Sequence, residues 1–172
     1  MSTVSPARPA RPRAGRLLGI AIPLAILGGC DLPRDPSGTL DRVTNGSLRV
    51  GVSHDPPFVL ADRPDPEGRE VELIRQFAES RHARIEWIHV SHSALLRRLE
   101  QHEVDLVIGG HDADDPWKER LAFSRPYRII GVADRPALRT AALPPGENAW
   151  LLAFERHVGS AGARALREGG QR

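Results

Sequence analysis

From Leu48 to Ile108 the chain switches hydrophobic period again and again, and that alternation limits the folds open to it. Leu48-Arg49-Val50-Gly51-Val52 has period two, whereas Leu73, Ile74, Phe77 and Ala78 fall on one helical stripe. A second strand is predicted at Ile85 to Val90. A second helix follows with Leu95, Leu96 and Leu99 on one face, and Val104 to Ile108 is a nearly continuous apolar run. Such a run suits a central strand covered on both faces. The strand-helix-strand-helix-strand order predicts an α/β domain, a single three-layer lobe whose mostly parallel sheet is joined by right-handed crossovers. Ligands of such sheets lie beyond the carboxyl ends of the strands. Two loops occupy that edge, Ser53 to Phe58 and Gly109 to Asp115.

Residues 1–29 read as an export signal. Arg8, Arg11, Arg13 and Arg16 precede the apolar run Leu17 to Leu27, and Gly28-Gly29-Cys30 closes it. The run falls short of the ~20 residues that a permanent membrane span needs, and Pro23 interrupts it. Leu27-Gly28-Gly29-Cys30 resembles a bacterial lipobox, which implies a lipid anchor on Cys30, since several acyl chains hold a membrane where one does not. Cys30 is the only cysteine, so no intramolecular disulfide can form. The expected location is the periplasmic face of the cell envelope. Asp31 resembles the mark for retention in the inner membrane.

Residues 30–46, rich in Pro, Asp, Ser and Gly, are expected to form a flexible tether. Residues 47–172 suffice for one domain with one core, ending in C-terminal helices with Trp150, Leu151, Phe154 and Val158 on one stripe. Loss of the four leader arginines, with no acid lost, turns the net charge of +2 into −2. The basic pI therefore implies no nucleic-acid partner, and no Lys/Arg block interleaved with aromatics follows.

The stretch Val107 to Arg120, VIGGHDADDPWKER, holds the candidate site chemistry. Asp115-Pro116 is a strong helix start, with Asp114 placed to favour the positive end of the dipole. A metal centre would need His111 with Asp112 or Asp114 plus distant ligands, and no HExxH, Cys/His cluster or EF-hand spacing supplies them. Neither a metal nor a cofactor is expected. The stretch reads instead as the lip of a cleft: Gly109 and Gly110 let backbone N–H groups approach a ligand, and His111, Asp112 and Trp117 offer side chains.

Five segments in order carry a resemblance. They are Leu48 to Val52, Asp55-Pro56-Pro57-Phe58, Gly68-Arg69-Glu70-Val71-Glu72-Leu73, Val104 to Gly110, and Glu119-Arg120-Leu121-Ala122-Phe123-Ser124-Arg125-Pro126-Tyr127. Together they resemble the family-3 extracellular solute-binding proteins, the periplasmic receptors of ABC importers. Pro144 to Trp150 is similar to the opening of that family's last helices. The resemblance implies a small polar solute as ligand and an ABC permease as partner, and it adds Phe58 and Glu70 to the ligand-binding set.

Two departures modify this. The family's carboxylate-gripping arginine is replaced by Trp117, its neighbouring hydroxyl donor by Asp112, and the aromatic before Pro-Pro-Phe by Asp55. An acidic cleft with one aromatic face would prefer cations or neutral hydroxylated solutes to free amino acids. Trp117 as helix-face core, with both acids solvated, is the other reading of those residues. Second, the family has two lobes, yet here Arg128 to Leu143 alone links Tyr127 to Pro144, too short for another α/β lobe. Two hinge strands, Arg128 to Ala133 and Arg139 to Leu143, are expected to join directly, the first of them lying antiparallel or at the edge of the main sheet.

The expected function is a substrate-binding lipoprotein of an ABC-type importer, cut to one lobe, without catalysis and of low affinity. The alternatives are a remnant or protein-interaction lipoprotein that binds no solute, and an enzyme using His111 and Asp112.

Overall fold

The structure is a computed structural model that describes residues 34–111, 116–130 and 136–169. The leader with Cys30, and likewise Asp112, Asp114 and Asp115, lie outside the described residues. Three strands come first in the main sheet: β1 (Ser47–Val52), β2 (Arg84–Ile88) and β3 (Leu106–Ile108). β1 lies between the other two and parallel to both, pairing Val50 with Trp87 and Val52 with Ile108. β4 (Ala122–Phe123) and β7 (Ala142–Leu143) complete the order β2-β1-β3-β7-β4, with β7 antiparallel to β3 and to β4.

Alternation along β1 sets the layers. Leu48, Val50 and Val52 join one cluster with Ile74 and Phe77 of α2 (Arg69–Ser80) and Trp150 and Phe154 of α4 (Asn148–Gly169). Gly51 faces the other way, where a Cβ would meet a methyl of Leu95 at 2.7 Å. On that side Leu95, Leu96 and Leu99 of α3 (His92–Glu100) cover Val107. The result is a three-layer α/β lobe with a mostly parallel sheet and a long C-terminal helix.

Several expectations need correction. The tether expected over residues 30–46 is folded from Arg34 onward and carries a short helix, α1 (Thr39–Val43), with Thr39 and Val43 buried. Polar anchors that composition does not reveal hold it. The Glu147 carboxylate accepts the N–H groups of Ser37 at 2.9 Å and Thr39 at 3.1 Å, and the buried Asp105 pairs with Arg42 at 2.5 Å and Arg49 at 2.6 Å. The Arg34 carbonyl accepts the Asn148 N–H where α4 begins.

The segment expected as the first hinge strand does not join the main sheet. Among the described residues, β5 (Tyr127–Ile130) pairs with β6 (Pro136–Arg139) in a separate antiparallel ribbon. The expected second hinge strand is split, with β6 in that ribbon and β7 in the main sheet. The register opposes Tyr127 to Arg139, which places both side chains on one face of the ribbon. Asp134 lies outside the described residues.

Candidate functional site

β1 and β3 are parallel, so the segments after Val52 and Ile108 emerge side by side at the carboxyl edge. Their approach is close. Ser53 donates its N–H to the Ile108 carbonyl at 3.0 Å, and a Cβ on Gly109 would lie 2.2 Å from the Ser53 carbonyl oxygen. Gly109 and Gly110 both take positive φ, at 89° and 73°. The Gly110 N–H is donated to the Asp55 carboxylate at 2.9 Å.

Asp55, Phe58 and Glu70 are brought together, but by a residue the sequence reading missed. Arg139 reaches in from β6, pairs with Asp55 and lies 3.4 Å from the Glu70 carboxylate. Its guanidinium sits 4.7 Å from the centroid of the Phe58 ring. Glu70 is fully buried and receives the Tyr127 hydroxyl at 2.5 Å. Its carboxylate is thus enclosed by Tyr127 and Arg139, both from the ribbon. Burial raises the Glu70 carboxyl above its ordinary value, against the lowering effects of the Tyr127 hydroxyl and the Arg139 charge. Burial, then the Glu70 charge, push the Tyr127 phenol well up. Burial alone would lower Arg139, but the charges of Glu70 and Asp55 overcome it and hold the guanidinium above its ordinary value. The acidic cleft expected from Asp55 and Asp112 is thus answered at Asp55 by a cation.

His111 and Trp117 both make packing contacts. His111 is buried at 4% exposure, with ring contacts to His92 at 5.0 Å and Phe123 at 5.7 Å. Trp117 lies in a 3-10 turn, Pro116–Glu119, where Asp115-Pro116 predicts a helix start. Its ring packs against the α3-side core, and the Arg120 guanidinium lies 4.8 Å from its centroid. Trp117 is half-buried there.

An open cavity of about 400 Å³ lies farther along the same edge, between the segments that follow β1 and β2. Ser53, His54, Ala61, His89, Ser91 and His92 line it. His89 donates from Nε2 to the Pro64 carbonyl at 3.0 Å, which leaves Nδ1 as an acceptor in the neutral ring. His54 Nδ1 accepts the Ala61 N–H at 3.2 Å and lies 3.2 Å from Asp62. His92 Nδ1 and the Ser53 hydroxyl are 2.8 Å apart. The wall thus sets hydroxyls and imidazoles beside the apolar Val52, Ala61 and Val90, and no carboxylate or guanidinium is among its lining residues. Applying the carboxyl-edge rule to the second strand as well as the first and third would have found His89 to His92. Among the described residues, no three His, Cys, Asp or Glu side chains group in a way that could hold a metal ion.

Residues 48–155 match the bacterial extracellular solute-binding proteins, family 3. Among curated proteins, the membrane-bound lytic murein transglycosylase F of Vibrio cholerae is 29% identical over 97 residues, covering 55% of this chain and 18% of that protein. Its counterpart in Alteromonas mediterranea is 24% identical over 112 residues, covering 64% and 24%. The chain thus matches less than a quarter of the length of these relatives. Among solved structures, the arginine-bound domain 1 of the arginine-binding protein from T. maritima is 22% identical. The match covers 70% of this chain and 97% of that one, with a TM-score of 0.58. An arginine-specific periplasmic binding protein of Salmonella typhimurium is 13% identical, with coverage of 68% and 93% and a TM-score of 0.56. At these identities the likeness is one of fold. The chain matches a single lobe, the arginine-bound domain 1, over nearly that domain's whole length.

Proposed function

The chain belongs to the bacterial extracellular solute-binding proteins of family 3, and from that premise we propose that it is a single-lobe, solute-binding lipoprotein of an ABC-type importer. Cys30 carries the lipid, and the lobe works at the periplasmic face of the inner membrane. Residues 1–29 are the signal and the lobe begins near Arg34, with Asn45 already part of it. Its ligand is a small neutral hydroxylated solute, and it has no catalytic role.

The observation that carries this reading is the cavity at the carboxyl edge, lined by Ser53, His54, His89, Ser91 and His92. Hydroxyls and imidazoles set among Val52, Ala61 and Val90 offer hydrogen-bonding edges and apolar faces of the kind that suit a sugar-like solute. A cation finds Asp55 already paired with Arg139. The relatives act on murein, as their name states, and a glycan ligand fits the same chemistry. With one lobe, most of the solute stays wet, and closure of two lobes around it does not occur. Affinities fall in the high micromolar to millimolar range on that account.

A thermal-shift screen over monosaccharides, amino sugars, muropeptide fragments, polyamines and amino acids tests the proposal. A small saturable stabilisation by hydroxylated solutes is expected. Tight binding of a free α-amino acid would contradict it. The second reading, an interaction lipoprotein, draws on Leu138, which is 69% exposed on the ribbon. Silence across the screen together with concentration-dependent self-association would favour that reading.

A further inference from the structure

We propose that Asp55, Phe58 and Glu70 form a binding cradle for a guanidinium cation and that the chain's own Arg139 occupies it in cis. A free alkylguanidinium compound would therefore bind there once that side chain is removed. The cradle has the parts that recognise a planar cation. The Phe58 ring supplies a face at 4.7 Å, Asp55 a carboxylate at the rim, and Glu70 a second carboxylate, fully buried, at 3.4 Å.

Three of these groups have other supports. Asp55 accepts the Gly110 N–H, Glu70 accepts the Tyr127 hydroxyl, and Glu70 donates its own N–H to the Phe58 carbonyl at 3.1 Å. Both acids thus have contacts that do not involve the Arg139 side chain, and the Phe58 ring packs against the main core cluster. Arg139 reaches the acids from β6 of the ribbon, a two-stranded element outside the main sheet, as the Tyr127 hydroxyl does from β5. Its fit is incomplete, because Nε is buried and finds no acceptor among the described residues. A tethered guanidinium is limited by its stem, whereas a free one can turn to satisfy its donors. The tether gives Arg139 a high local concentration, so wild-type protein should resist competition by millimolar ligand. The inference rests on the geometry around Arg139 and stands whether or not the neighbouring cavity takes a solute.

The test is thermal unfolding of wild type, Arg139→Ala, Arg139→Lys and the double variant Arg139→Ala/Asp55→Asn, titrated with methylguanidinium chloride against methylammonium chloride at equal ionic strength. Arg139→Ala should melt below wild type and regain stability saturably with methylguanidinium. At ten times the half-saturating concentration the folding equilibrium should shift about tenfold, a rise of about 4 °C in Tm. Methylammonium should do markedly less, and wild type and the double variant should not respond. Should Arg139→Ala prove unfolded, recovery of its far-ultraviolet circular dichroism by methylguanidinium is the readout. Arg139→Lys, which keeps the charge and loses the planar fork, should fold and respond more than wild type. No saturable response in either single variant, or an equal response in wild type, would overturn the proposal.

Discussion

The Asp55 carboxylate accepts the backbone N–H of Gly110 at 2.9 Å, so the segments after β1 and β3 are tied across the mouth of the sheet. The same carboxylate meets Arg139 from the ribbon. One acid therefore links three segments far apart in sequence, and its charge is used for architecture before any solute arrives.

The close approach of Gly109 to Ser53 gives the first prediction. At Gly109 a Cβ would lie 2.2 Å from the Ser53 carbonyl oxygen and φ is 89°, whereas at Gly110 nothing lies within 4 Å and only the positive φ of 73° opposes a side chain. Gly109→Ala should cost about 3 kcal/mol and Gly110→Ala about 1 kcal/mol. Urea midpoints of the two variants check the order, and equal losses would show that the loops can separate freely.

The second concerns the buried acid at Asp105, which is 1% exposed and holds Arg42, Arg49 and the Arg49 N–H. Asp105→Ala should cost about 2–3 kcal/mol and loosen α1, because the two cations it leaves keep partial access to water. Arg42, 41% exposed, contributes as a surface ion pair, so Arg42→Ala should cost below about 1 kcal/mol. Hydrogen exchange at Thr39–Val43 reports the loosening directly.

Much of this lobe was legible because hydrophobic period is a local signal. β1, α2 and α3 lie where the alternation and stripes place them, and the Trp150, Phe154 and Val158 stripe of α4 is buried. Gly109 and Gly110 follow from the same reasoning, since a glycine pair after a buried strand marks a close backbone approach. The rest depended on distant partners. α1 is short and polar, and its helix forms against Glu147 and Asp105, which no window around residue 40 contains. Arg139 meets Asp55 and Glu70 only after β6 pairs with β5, and the sequence offers no sign of that register. The packing contacts of His111 with His92 and Phe123, and of Trp117 with the α3-side core, likewise depend on partners outside the Val107 to Arg120 stretch or on its folding back.

A pH dependence follows from Glu70. Burial, the largest influence, holds its carboxyl above the ordinary value of 4.5 despite Tyr127 and Arg139. The folded chain then keeps a proton that the unfolded chain has released. This contribution to stability is fully present below about pH 4.5 and is lost as pH rises through the raised folded value. Glu70→Gln, neutral throughout and still able to accept from Tyr127, should lose less stability than wild type over that rise. Glu147 works in the opposite sense, since the hydrogen bonds of Ser37 and Thr39 outweigh its burial and lower its carboxyl, but it does so equally in both proteins. Denaturant melts of the pair at a series of pH values provide the comparison, and parallel curves would contradict the assignment.

For the anchor, Cys30→Ala should release the protein from membranes and block lipoprotein-type processing. Fractionation of cells expressing the two forms reads this out, and an unchanged membrane share would remove lipidation from the account.

The central claim is that this lobe captures a small hydroxylated solute at the carboxyl edge of its sheet. Its most direct test is a titration of isotope-labelled protein with the best-responding sugar, followed by amide and imidazole resonances. The account predicts saturable shifts confined to Ser53, His54, His89, Ser91 and His92 and their neighbours, with a Kd in the high micromolar to millimolar range. Shifts clustered elsewhere on the lobe, or unperturbed spectra with every hydroxylated solute at tens of millimolar, would contradict it.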